Sequence, residues 1–269
     1  MLSIVIVSKN EEGRIKACLE SVKWADEIII LDNGSKDQTL EIAGKYTDKI
    51  FKFNDEDFAS IRNKGMEKAK EEWVMYVDCD ERVLLPLKEE ILRLTTFAQD
   101  GICSAYAISR KNVILGKEVN YGPYKKDWVV RLFKKRDFEL WSGKVHESAY
   151  FKGKLGYINN PLLHLTHRDI DQIVLKSLEW SKIDAKLRFD AKHPRMSGWR
   201  FLRILFSEMF NQGIKRGGFF NGTVGVIDSI LQVFSLFITY VRLWQIQQEK
   251  PPDKIYEEID KNLTENGFK

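Results

Sequence analysis

The fold is decided by residues 72–80, which read EWVMYVDCD. The apolar run predicts a buried strand, and two carboxylates, Asp78 and Asp80, follow where the strand meets solvent. Because side chains alternate between the two faces of a strand, we expect Asp78 and Asp80 to face one divalent cation together. Mg²⁺ or Mn²⁺ held in this way would in turn hold a nucleotide diphosphate. Taken alone, the pattern is equally typical of a turn or a helix cap.

The N-terminal half around this stretch alternates strand and helix four times. Apolar runs predict strands at 2–7, 27–31, 50–53 and 73–77, with helices between them. We expect Gly34 to give the turn after the second strand its freedom, and Ser35 to cap a helix that runs to about Tyr46. The alternation predicts an α/β fold built on a Rossmann-like, doubly wound, mostly parallel sheet.

Polar clusters follow three of these strands, at residues 8–12, 32–35 and 78–81. Ligands of open α/β sheets bind outside the carboxyl ends of the strands, so we expect the three clusters to meet there. The chain has neither a G-x-G-x-x-G fingerprint nor a Walker A loop, so dinucleotide and P-loop chemistry are not indicated.

Over roughly residues 1 to 170, the three clusters together resemble family 2 glycosyltransferases of the GT-A type. The likeness extends to the bacterial lipopolysaccharide-core beta-glucosyltransferase group, whose Asp-x-Asp-Glu and Val-His-Glu motifs are matched by residues 78–81 and 145–147. It implies an inverting transfer of a hexose, with glucose as the expectation, from a UDP-sugar. The implied acceptor is a saccharide or a lipid-linked molecule of cell-envelope glycan or lipopolysaccharide synthesis.

The resemblance also implies roles for individual residues. Asp80, with Asp78, would bind Mg²⁺ or Mn²⁺ on the donor diphosphate. The implied nucleotide-sugar contacts are Ser8, Asn10, Glu11, Asp32, Arg62 and Asp78. A carboxylate can accept from a uracil N–H, and a guanidinium suits a base carbonyl or a phosphate oxygen. Without the family, Arg62 would be interpreted as a solvated residue in the first turn of a helix.

The second half of this region must supply the base and the acceptor site. Glu147 is our candidate for the base, because an acceptor hydroxyl must lose its proton as attack develops. Trp141 and Tyr150 carry flat rings on which a sugar could lie, although such rings are more often part of a core. His146 would orient Glu147 or contact a phosphate.

Two histidines are candidates for a further metal ligand. His164 is favoured because it ends an apolar stretch in a family-like His-x-Thr-x-Arg pattern, with His167 as the alternate. Either could instead be a histidine at a helix entry without function. Zinc is not expected, because the three cysteines lack ligand-pair spacing. Arg131 matches an Arg-Leu-Phe of the resembled family, and structural ion pairing would explain it equally well.

Composition favours a cytoplasmic enzyme. The chain has 43 basic and 39 acidic residues in 269, and this balance does not suggest nucleic-acid binding. Three scattered cysteines and no signal peptide are typical of a reducing compartment. We expect a catalytic domain over 1–168, divided into a nucleotide-sugar half (1–100) and an acceptor and base half (101–168). A helical C-terminal extension is expected over 169–269.

The extension ends in a strongly apolar helix, predicted over 223–248. Only 13 residues separate Asp228 from Arg242, fewer than the roughly 20 that cross a bilayer. Polar residues fall on one stripe of this helix, at Asp228, Gln232, Ser235, Thr239 and Arg242. The helix is therefore expected either to pack on the catalytic domain or to lie in a membrane interface. Basic residues lie nearby in the sequence, namely Arg195, Arg200, Arg203, Lys215 and Arg216. Because acceptors of the resembled family are often lipid-linked, the resemblance favours contact with the inner membrane surface.

Two other functions stay open at this point. A sugar-phosphate nucleotidyltransferase would share a related sheet, but Asn10-Glu11-Glu12 stands where its basic, glycine-rich loop would be. A catalytically silent protein that binds sugar nucleotides or acts as a membrane scaffold is the other. The carboxylates at 78, 80 and 147 favour an enzyme over it.

Overall fold

The computed structural model describes residues 1–54, 57–97, 103–143 and 147–267. The chain divides into two compact units, Met1–Thr166 and His167–Lys269. The elements of the first unit are β1 (Leu2–Ser8), α1 (Glu12–Val22), β2 (Glu27–Asp32), α2 (Thr39–Ala43), β3 (Ile50–Lys52), α3 (Phe58–Lys68), β4 (Trp73–Tyr76), β5 (Glu81–Arg82), α4 (Leu85–Phe97), β6 (Ala105–Ile114), β7 (Lys117–Val119), β8 (Trp128–Lys134), β9 (Phe138–Ser142), β10 (Ser148–Phe151) and β11 (Leu155–Leu165).

The main sheet follows the order β3-β2-β1-β4-β8-β6-β11-β5, and β7 pairs with β6 beside this path. The first four strands are parallel, as the alternation of strand and helix predicts. β8 then enters antiparallel to β4 and β6, while β11 runs parallel to β6. The α/β, GT-A fold class is confirmed, with a parallel half followed by a mixed half.

The apolar runs form strands because both faces of the sheet are covered. Leu2, Ile4 and Ile6 of β1 belong to a buried cluster with side chains of α1 and α4. Val5, on the opposite face, belongs to a second cluster with Ile61 of α3. A strand buried on both faces reads as a continuous hydrophobic run, so the predicted burial of β1 is correct.

Two expectations about loops are wrong. Ser35 does not cap α2, which begins only at Thr39 and ends at Ala43; the Ser35 hydroxyl is used by Asp32 instead. The strand before Asp78 ends at Tyr76, so Asp78 and Asp80 lie in a turn, in which the Glu81 N–H donates to the Asp78 carbonyl at 2.9 Å. Strand alternation therefore does not orient these two carboxylates.

The second unit is helical, as predicted. It contains α5 (Ile170–Asp190), α6 (Gly198–Met209), a π-helical turn (Phe210–Lys215), α7 (Gly222–Ile246) and α8 (Pro252–Asn266). Asp169 caps α5 by accepting from the Gln172 N–H at 2.8 Å. α8 is absent from the prediction, which ended the last helix at residue 248. Its start is explained by Pro252, whose fixed φ and missing N–H suit the first turn of a helix.

α7 turns its polar stripe inward. Asp228 and Thr239 are only 5% and 4% exposed, and Arg242 Nε donates to Ser181 Oγ of α5 at 2.9 Å. Apolar side chains are exposed along the same helix, at Ile227, Ile230, Phe234, Trp244 and Ile246. The helix therefore presents its apolar residues where a water-soluble helix presents polar ones.

By length and composition, α7 also satisfies the criterion for a membrane-spanning helix among the described residues. Its most apolar 18-residue window has a mean hydropathy of 1.8 and is 28% buried. The sequence argument against a membrane span took Asp228 and Arg242 as the two ends of the apolar segment. That argument is weakened, because Asp228 is buried against protein and need not face lipid. Core helices of soluble proteins satisfy the same criterion.

Candidate active site

The three polar clusters meet at the carboxyl edge of the parallel strands. Ser8 and Asp32 are register partners at the ends of β1 and β2, and the Ser8 hydroxyl donates to Asp32 Oδ1 at 3.3 Å. The turn after β4 lies beside them, because the Cys79 thiol reaches the Val7 carbonyl at 3.5 Å. The Cys18 thiol of α1 reaches the Asp78 carbonyl at the same distance. Buried thiols thus help to hold this turn against β1 and α1.

Asp32 organises the loop that follows it. Its Oδ2 accepts from the backbone N–H groups of Gly34 at 3.2 Å and Ser35 at 3.0 Å, and its Oδ1 accepts from the Ser35 hydroxyl. Gly34 has φ +86°, which is the turn freedom expected of it. With these bonds and that from Ser8, Asp32 is fixed by its own loop, and its predicted contact with a base stays a prediction.

The loops after β1 and β2 are also tied to each other. The Asn10 N–H donates to Ser35 Oγ at 2.9 Å, and Asn10 Oδ1 accepts from the Lys36 N–H at 2.8 Å. Asn10 adopts φ +56°, a left-handed conformation that asparagine tolerates better than most residues. The Glu11 N–H donates to Thr39 Oγ1 at 2.7 Å. The predicted nucleotide-binding loop is thus pre-organised by hydrogen bonds.

Arg62 of α3 joins two carboxylates from distant parts of the chain. Its Nη1 donates to Glu147 Oε2 at 2.9 Å, and its Nη2 donates to Asp78 Oδ1 at 3.1 Å. The guanidinium lies over the Trp141 ring, 5.1 Å from its centroid, and Arg62 is only 8% exposed. The alternative reading of Arg62 as a solvated surface residue is therefore wrong.

Arg131 forms a second, more deeply buried junction. Its Nη2 donates to Glu81 Oε1 at 2.8 Å and also to Asp78 Oδ2. Burial opposes the ionisation of Asp78, but the charges of Arg131 and Arg62 outweigh it and hold the pKa of Asp78 well below its ordinary value. Burial raises the pKa of Glu81, and the Asp78 charge adds to the rise. The surroundings therefore favour ionisation of Asp78 more than that of Glu81.

Asp80 lies beside His164 at the end of β11. His164 Nε2 is 3.4 Å from Asp80 Oδ2. On the other side of the ring, His164 Nδ1 is 2.6 Å from Asn112 Oδ1, while the Asn112 amide N–H donates to Asp127 at 2.9 Å. Because the Asp127 carboxylate only accepts, the Asn112 oxygen faces the histidine and accepts a hydrogen bond from its Nδ1–H. In the neutral ring, Nε2 then directs a lone pair towards Asp80.

This pair fits a divalent cation. Two acceptor atoms 3.4 Å apart repel each other unless a proton or a cation lies between them. Carboxylate oxygen suits Mg²⁺ and Mn²⁺, and imidazole is a common metal ligand. Within the described ranges, no group of three or more His, Cys, Asp or Glu side chains is arranged to hold a metal. Asp80 and His164 could supply two of the ligands of a cation. The Asp78 carboxylate instead bonds Arg62 and Arg131.

His167, the alternate ligand, belongs to the second unit. There it lines a small cavity with residues of α5 and α7, among them Trp180 and Gln232. It has φ +48°, in the left-handed region. His164 is the candidate for which the structure gives a contact with Asp80, and a metal role of His167 stays a prediction.

The candidates of the acceptor half have different surroundings. The Trp141 ring is 5% exposed and packs edge-on against Tyr76 and Phe133, with centroids 5.2 and 5.5 Å away. Its expected role as an acceptor wall is wrong, because neighbouring rings cover the surface on which a sugar would lie. Tyr150 of β10 is exposed and stays a candidate. His146 lies outside the described residues.

The sequence analysis missed Asn112, Asp127 and Arg110. Arg110 Nε and Nη2 each donate to Asp127 at 2.9 Å, so the chain of contacts runs from Arg110 through Asp127 and Asn112 to His164. Asn112 and His164 meet because β6 and β11 are paired in that register. The two residues are 52 positions apart, and the sequence between them carries no local signal of this contact.

Comparisons with known proteins find relatives among glycosyltransferases. The lipopolysaccharide core biosynthesis glycosyltransferase LpsC of Rhizobium meliloti is 27% identical over 256 residues, which cover 91% of this chain and 92% of LpsC. The uncharacterized glycosyltransferase RT0209 of Rickettsia typhi is 26% identical over 258 residues, covering 91% of this chain and 87% of that protein.

Solved structures are more distant. Residues 1–349 of S. aureus TarS have a TM-score of 0.43 at 13% identity, covering 90% of this chain and 80% of that one. Glucosyl-3-phosphoglycerate synthase from Mycobacterium tuberculosis, in complex with Mg²⁺ and UDP, has a TM-score of 0.37 at 17% identity, covering 51% and 57%.

The family model described as "Glycosyl transferase family 2" matches residues 3–153. This range contains β1 to β4, the turn with Asp78 and Asp80, and Glu147. It is more than half of the 269 residues, and the protein therefore belongs to glycosyl transferase family 2.

Proposed function

We propose that the protein is an inverting hexosyltransferase. It moves a hexose, which we expect to be glucose, from a UDP-sugar to a saccharide or lipid-linked acceptor in cell-envelope glycan or lipopolysaccharide synthesis. One observation carries the proposal: a single guanidinium, that of Arg62, bonds both Asp78 and Glu147. A donor-side carboxylate and a base candidate, 69 positions apart in sequence, are thereby within reach of one substrate.

Glu147 takes the acceptor proton in this proposal. An alcohol is a weak nucleophile until its proton is removed during attack, and a positioned carboxylate can receive that proton. Glu147 is half-buried and held by Arg62, so its carboxylate has a fixed orientation. The acceptor oxygen bonds to the anomeric carbon of the sugar while the bond from that carbon to the diphosphate oxygen breaks, and UDP leaves. The configuration inverts because attack comes from the side opposite the leaving group.

The donor is held by the pre-organised loops and by Arg62. Ser8, Asn10, Glu11 and Asp32 contact the base and ribose, and the planar, multi-donor guanidinium of Arg62 suits phosphate oxygens. Asp80 and His164 hold the metal, with Asp78 fixing the turn. Mg²⁺ or Mn²⁺ bound there would stabilise the negative charge that develops on the leaving diphosphate. Tyr150 and His146 are assigned to the acceptor.

The proposal extends to organisation and location. Residues 1–168 carry catalysis, with 1–100 for the nucleotide sugar and 101–168 for the acceptor and base, and 169–269 form the helical extension. The enzyme works in the cytoplasm, on the inner face of the cytoplasmic membrane. Two observations support this: the name of the relative LpsC refers to lipopolysaccharide core synthesis, and the second unit exposes large apolar side chains.

The experiment measures UDP release and donor binding with the purified chain. Thermal midpoints are recorded with UDP-, GDP- and CMP-sugars, each with and without Mn²⁺, because a ligand that binds the native state raises the midpoint. We expect a metal-dependent shift with one UDP-sugar, which Asp80→Asn abolishes. Glu147→Gln should keep the shift but lose turnover by at least 100-fold.

The matched control is Asp190→Asn, an exposed carboxylate at the end of α5 whose loss should change neither quantity. Turnover at the wild-type rate in Asp80→Asn would refute the metal assignment. The absence of a shift with every donor would favour a catalytically silent scaffold instead.

A further inference from the structure

α6 carries a second apolar face that no other described residue covers. Four large side chains recur every three or four residues along α6 and into the π-helical turn that follows it, at Trp199, Leu202, Phe206 and Phe210, and we call them the α6 stripe. Trp199 is 73% exposed and Phe206 is 74% exposed. Side chains of this size rarely stand together in water without a binding role.

The α6 stripe is additional to the face by which α6 packs in its own unit. Phe201 and Ile204 point the other way, towards a core of Ala185, Met196 and Leu243. Phe201 also packs against Phe237 of α7, with ring centroids 5.7 Å apart. The helix therefore already buries one apolar face, and the α6 stripe does not serve the core of the second unit.

The charges around the α6 stripe are almost all positive. Residues 195–221 contain five basic side chains, Arg195, Arg200, Arg203, Lys215 and Arg216, against one acidic side chain, Glu208. Glu208 is engaged by the amide groups of Asn211 and Gln212, at 3.2 and 2.7 Å. A surface of this kind complements negatively charged groups.

Large apolar side chains bordered by arginine and lysine match the chemistry of a membrane interface. Aromatic rings favour the level of the lipid headgroups, aliphatic side chains favour the acyl boundary, and basic side chains attract anionic lipid phosphates. The same unit also exposes Phe220, which is 74% exposed, and the outer side of α7 at Ile227, Ile230 and Phe234. A water-soluble protein partner would not require so much positive charge next to exposed apolar side chains.

We propose that the α6 stripe is seated in the headgroup layer of a membrane that carries anionic lipids, with the surrounding basic side chains on lipid phosphates. This inference rests on the membrane location proposed above and names both the surface and the lipid class. The sequence left two positions open for the C-terminal apolar helix, packed or interfacial; in the structure the polar stripe of α7 packs against α5, and the membrane surface is assigned to α6 instead.

The test is flotation of the full chain with lipid vesicles. Wild type should float with vesicles of phosphatidylcholine containing about one third phosphatidylglycerol, bind pure phosphatidylcholine at least ten-fold more weakly, and lose affinity in 0.5 M NaCl because salt screens charge. Trp199→Ala/Phe206→Ala should weaken binding to the anionic vesicles at least ten-fold. Arg203→Glu/Lys215→Glu should remove the preference for anionic lipid.

Matched controls distinguish binding through the α6 stripe from non-specific binding to vesicles and from unfolding of the variants. Leu84→Ala/Leu85→Ala removes two exposed apolar side chains of the first unit, and Lys16→Glu/Lys117→Glu reverses two exposed charges of that unit. Both should bind vesicles like wild type. Because the altered side chains are exposed, thermal midpoints should stay unchanged in all variants.

Wild type that binds neither vesicle, or stripe variants that bind like wild type, would overturn the proposal. A lipid-free dimer that becomes monomeric in Trp199→Ala/Phe206→Ala, measured by analytical ultracentrifugation, would assign the surface to a second copy and also overturn it. UDP release is measured separately without lipid, so a failure of membrane binding is distinguished from a failure of the proposed transferase activity.

Discussion

At the scale of single residues, the site is organised by arginines placed between carboxylates. Arg62 connects Asp78 to Glu147, and Arg131 connects Asp78 to Glu81. A guanidinium offers several donors in a fixed plane, which one ammonium group cannot reproduce. These arginines balance the negative charges of the carboxylates, which would otherwise repel the diphosphate of a donor.

Replacing Arg62 separates its chemical role from its charge. We expect Arg62→Lys to keep the fold but to lower turnover at least 100-fold, because a single ammonium cannot bond Asp78 and Glu147 in the same way. Arg62→Ala should also destabilise the chain by about 3 kcal/mol, the low end for breaking a buried pair, because Asp78 is partly exposed.

Urea unfolding and UDP release measure these two effects. Arg136→Ala removes an exposed arginine of the same unit and serves as the control, with no change expected in either measurement. If Arg62→Lys kept wild-type turnover, the paired contact would have no part in the reaction.

Asn112 is expected to act through His164. Loss of its oxygen in Asn112→Ala frees the Nδ1 proton, so Nε2 no longer has a fixed lone pair beside Asp80. Residues that orient a metal-binding histidine typically contribute 10- to 100-fold in metal affinity. We expect Mn²⁺ affinity in the presence of UDP, measured by electron paramagnetic resonance, to fall by about that factor.

Asn120→Ala is the matched control, since Asn120 is an exposed asparagine just after β7. Equal Mn²⁺ affinities in Asn112→Ala and wild type would remove Asn112 from the proposed metal site.

At the scale of elements, a glycine sets the distance between α3 and the sheet. A Cβ on Gly65 would lie 2.7 Å from both Leu31 Cδ1 and Val5 Cγ1. Because Arg62 is on the same helix, the close approach of α3 also determines where the guanidinium reaches.

Gly65→Ala should therefore lower the free energy of unfolding, whereas Gly13→Ala should raise it. Gly65→Ala forces side chains of β1 and β2 to move, at a cost of roughly 1–3 kcal/mol that exceeds the gain of about 1 kcal/mol in helix propensity. Gly13, in α1, has no atom within 4 Å of a built Cβ, so Gly13→Ala should stabilise by about 0.5–1 kcal/mol. Chemical denaturation measures both, and a stabilised Gly65→Ala would show that α3 is not packed this tightly.

An element could be predicted when its own sequence shows its burial, and not when its position depends on residues that are distant in the sequence. β1, β2 and β4 were predictable because strands covered on both faces read as apolar runs. The loop after β2 was not, because Ser35 can cap a helix or bond Asp32, and the choice depends on the neighbouring loop at Asn10. The polar stripe of α7 was predictable, but its direction was not, since Ser181 of α5 is what draws Arg242 inward.

At the scale of the whole molecule, one buried carboxylate joins several elements of the first unit. Glu27 accepts from the Ser3 hydroxyl of β1, from Lys49 Nζ before β3 at 2.6 Å, and from the Lys70 N–H after α3 at 2.8 Å. Burial opposes its ionisation, but Lys49 and the hydrogen bonds outweigh burial and lower the pKa of Glu27 below its ordinary value.

Acid stability follows from this shift. Because the folded pKa is lowered, the unfolded chain binds more protons, so the contribution is fully present above about pH 4.3 and is lost as the pH falls through the folded pKa. Glu27→Gln should cost about 2 kcal/mol at pH 7 and much less near pH 3, as measured by urea unfolding at both pH values. Glu67→Gln, an exposed carboxylate of α3, is the control. An equal cost of Glu27→Gln at both pH values would contradict the linkage.

The site as a whole was predictable only in part. Asp78, Asp80 and the loops after β1 and β2 are recognisable because each follows an apolar run directly. The contacts of Arg62 with Glu147 and of Asn112 with His164 join residues 85 and 52 positions apart, and they exist only through strand order and register. Trp141 shows the converse, because a ring that suits a sugar is equally suited to a core.

The buried thiols beside the turn have a practical consequence for labelling. Burial raises the pKa of the Cys18 thiol, and of the Cys79 thiol, well above the ordinary value, so neither forms thiolate at neutral pH. Cys103 is only partly buried. A maleimide dye added to the native protein should therefore react at Cys103 first, which provides a single fluorescent reporter without cysteine-removing mutations.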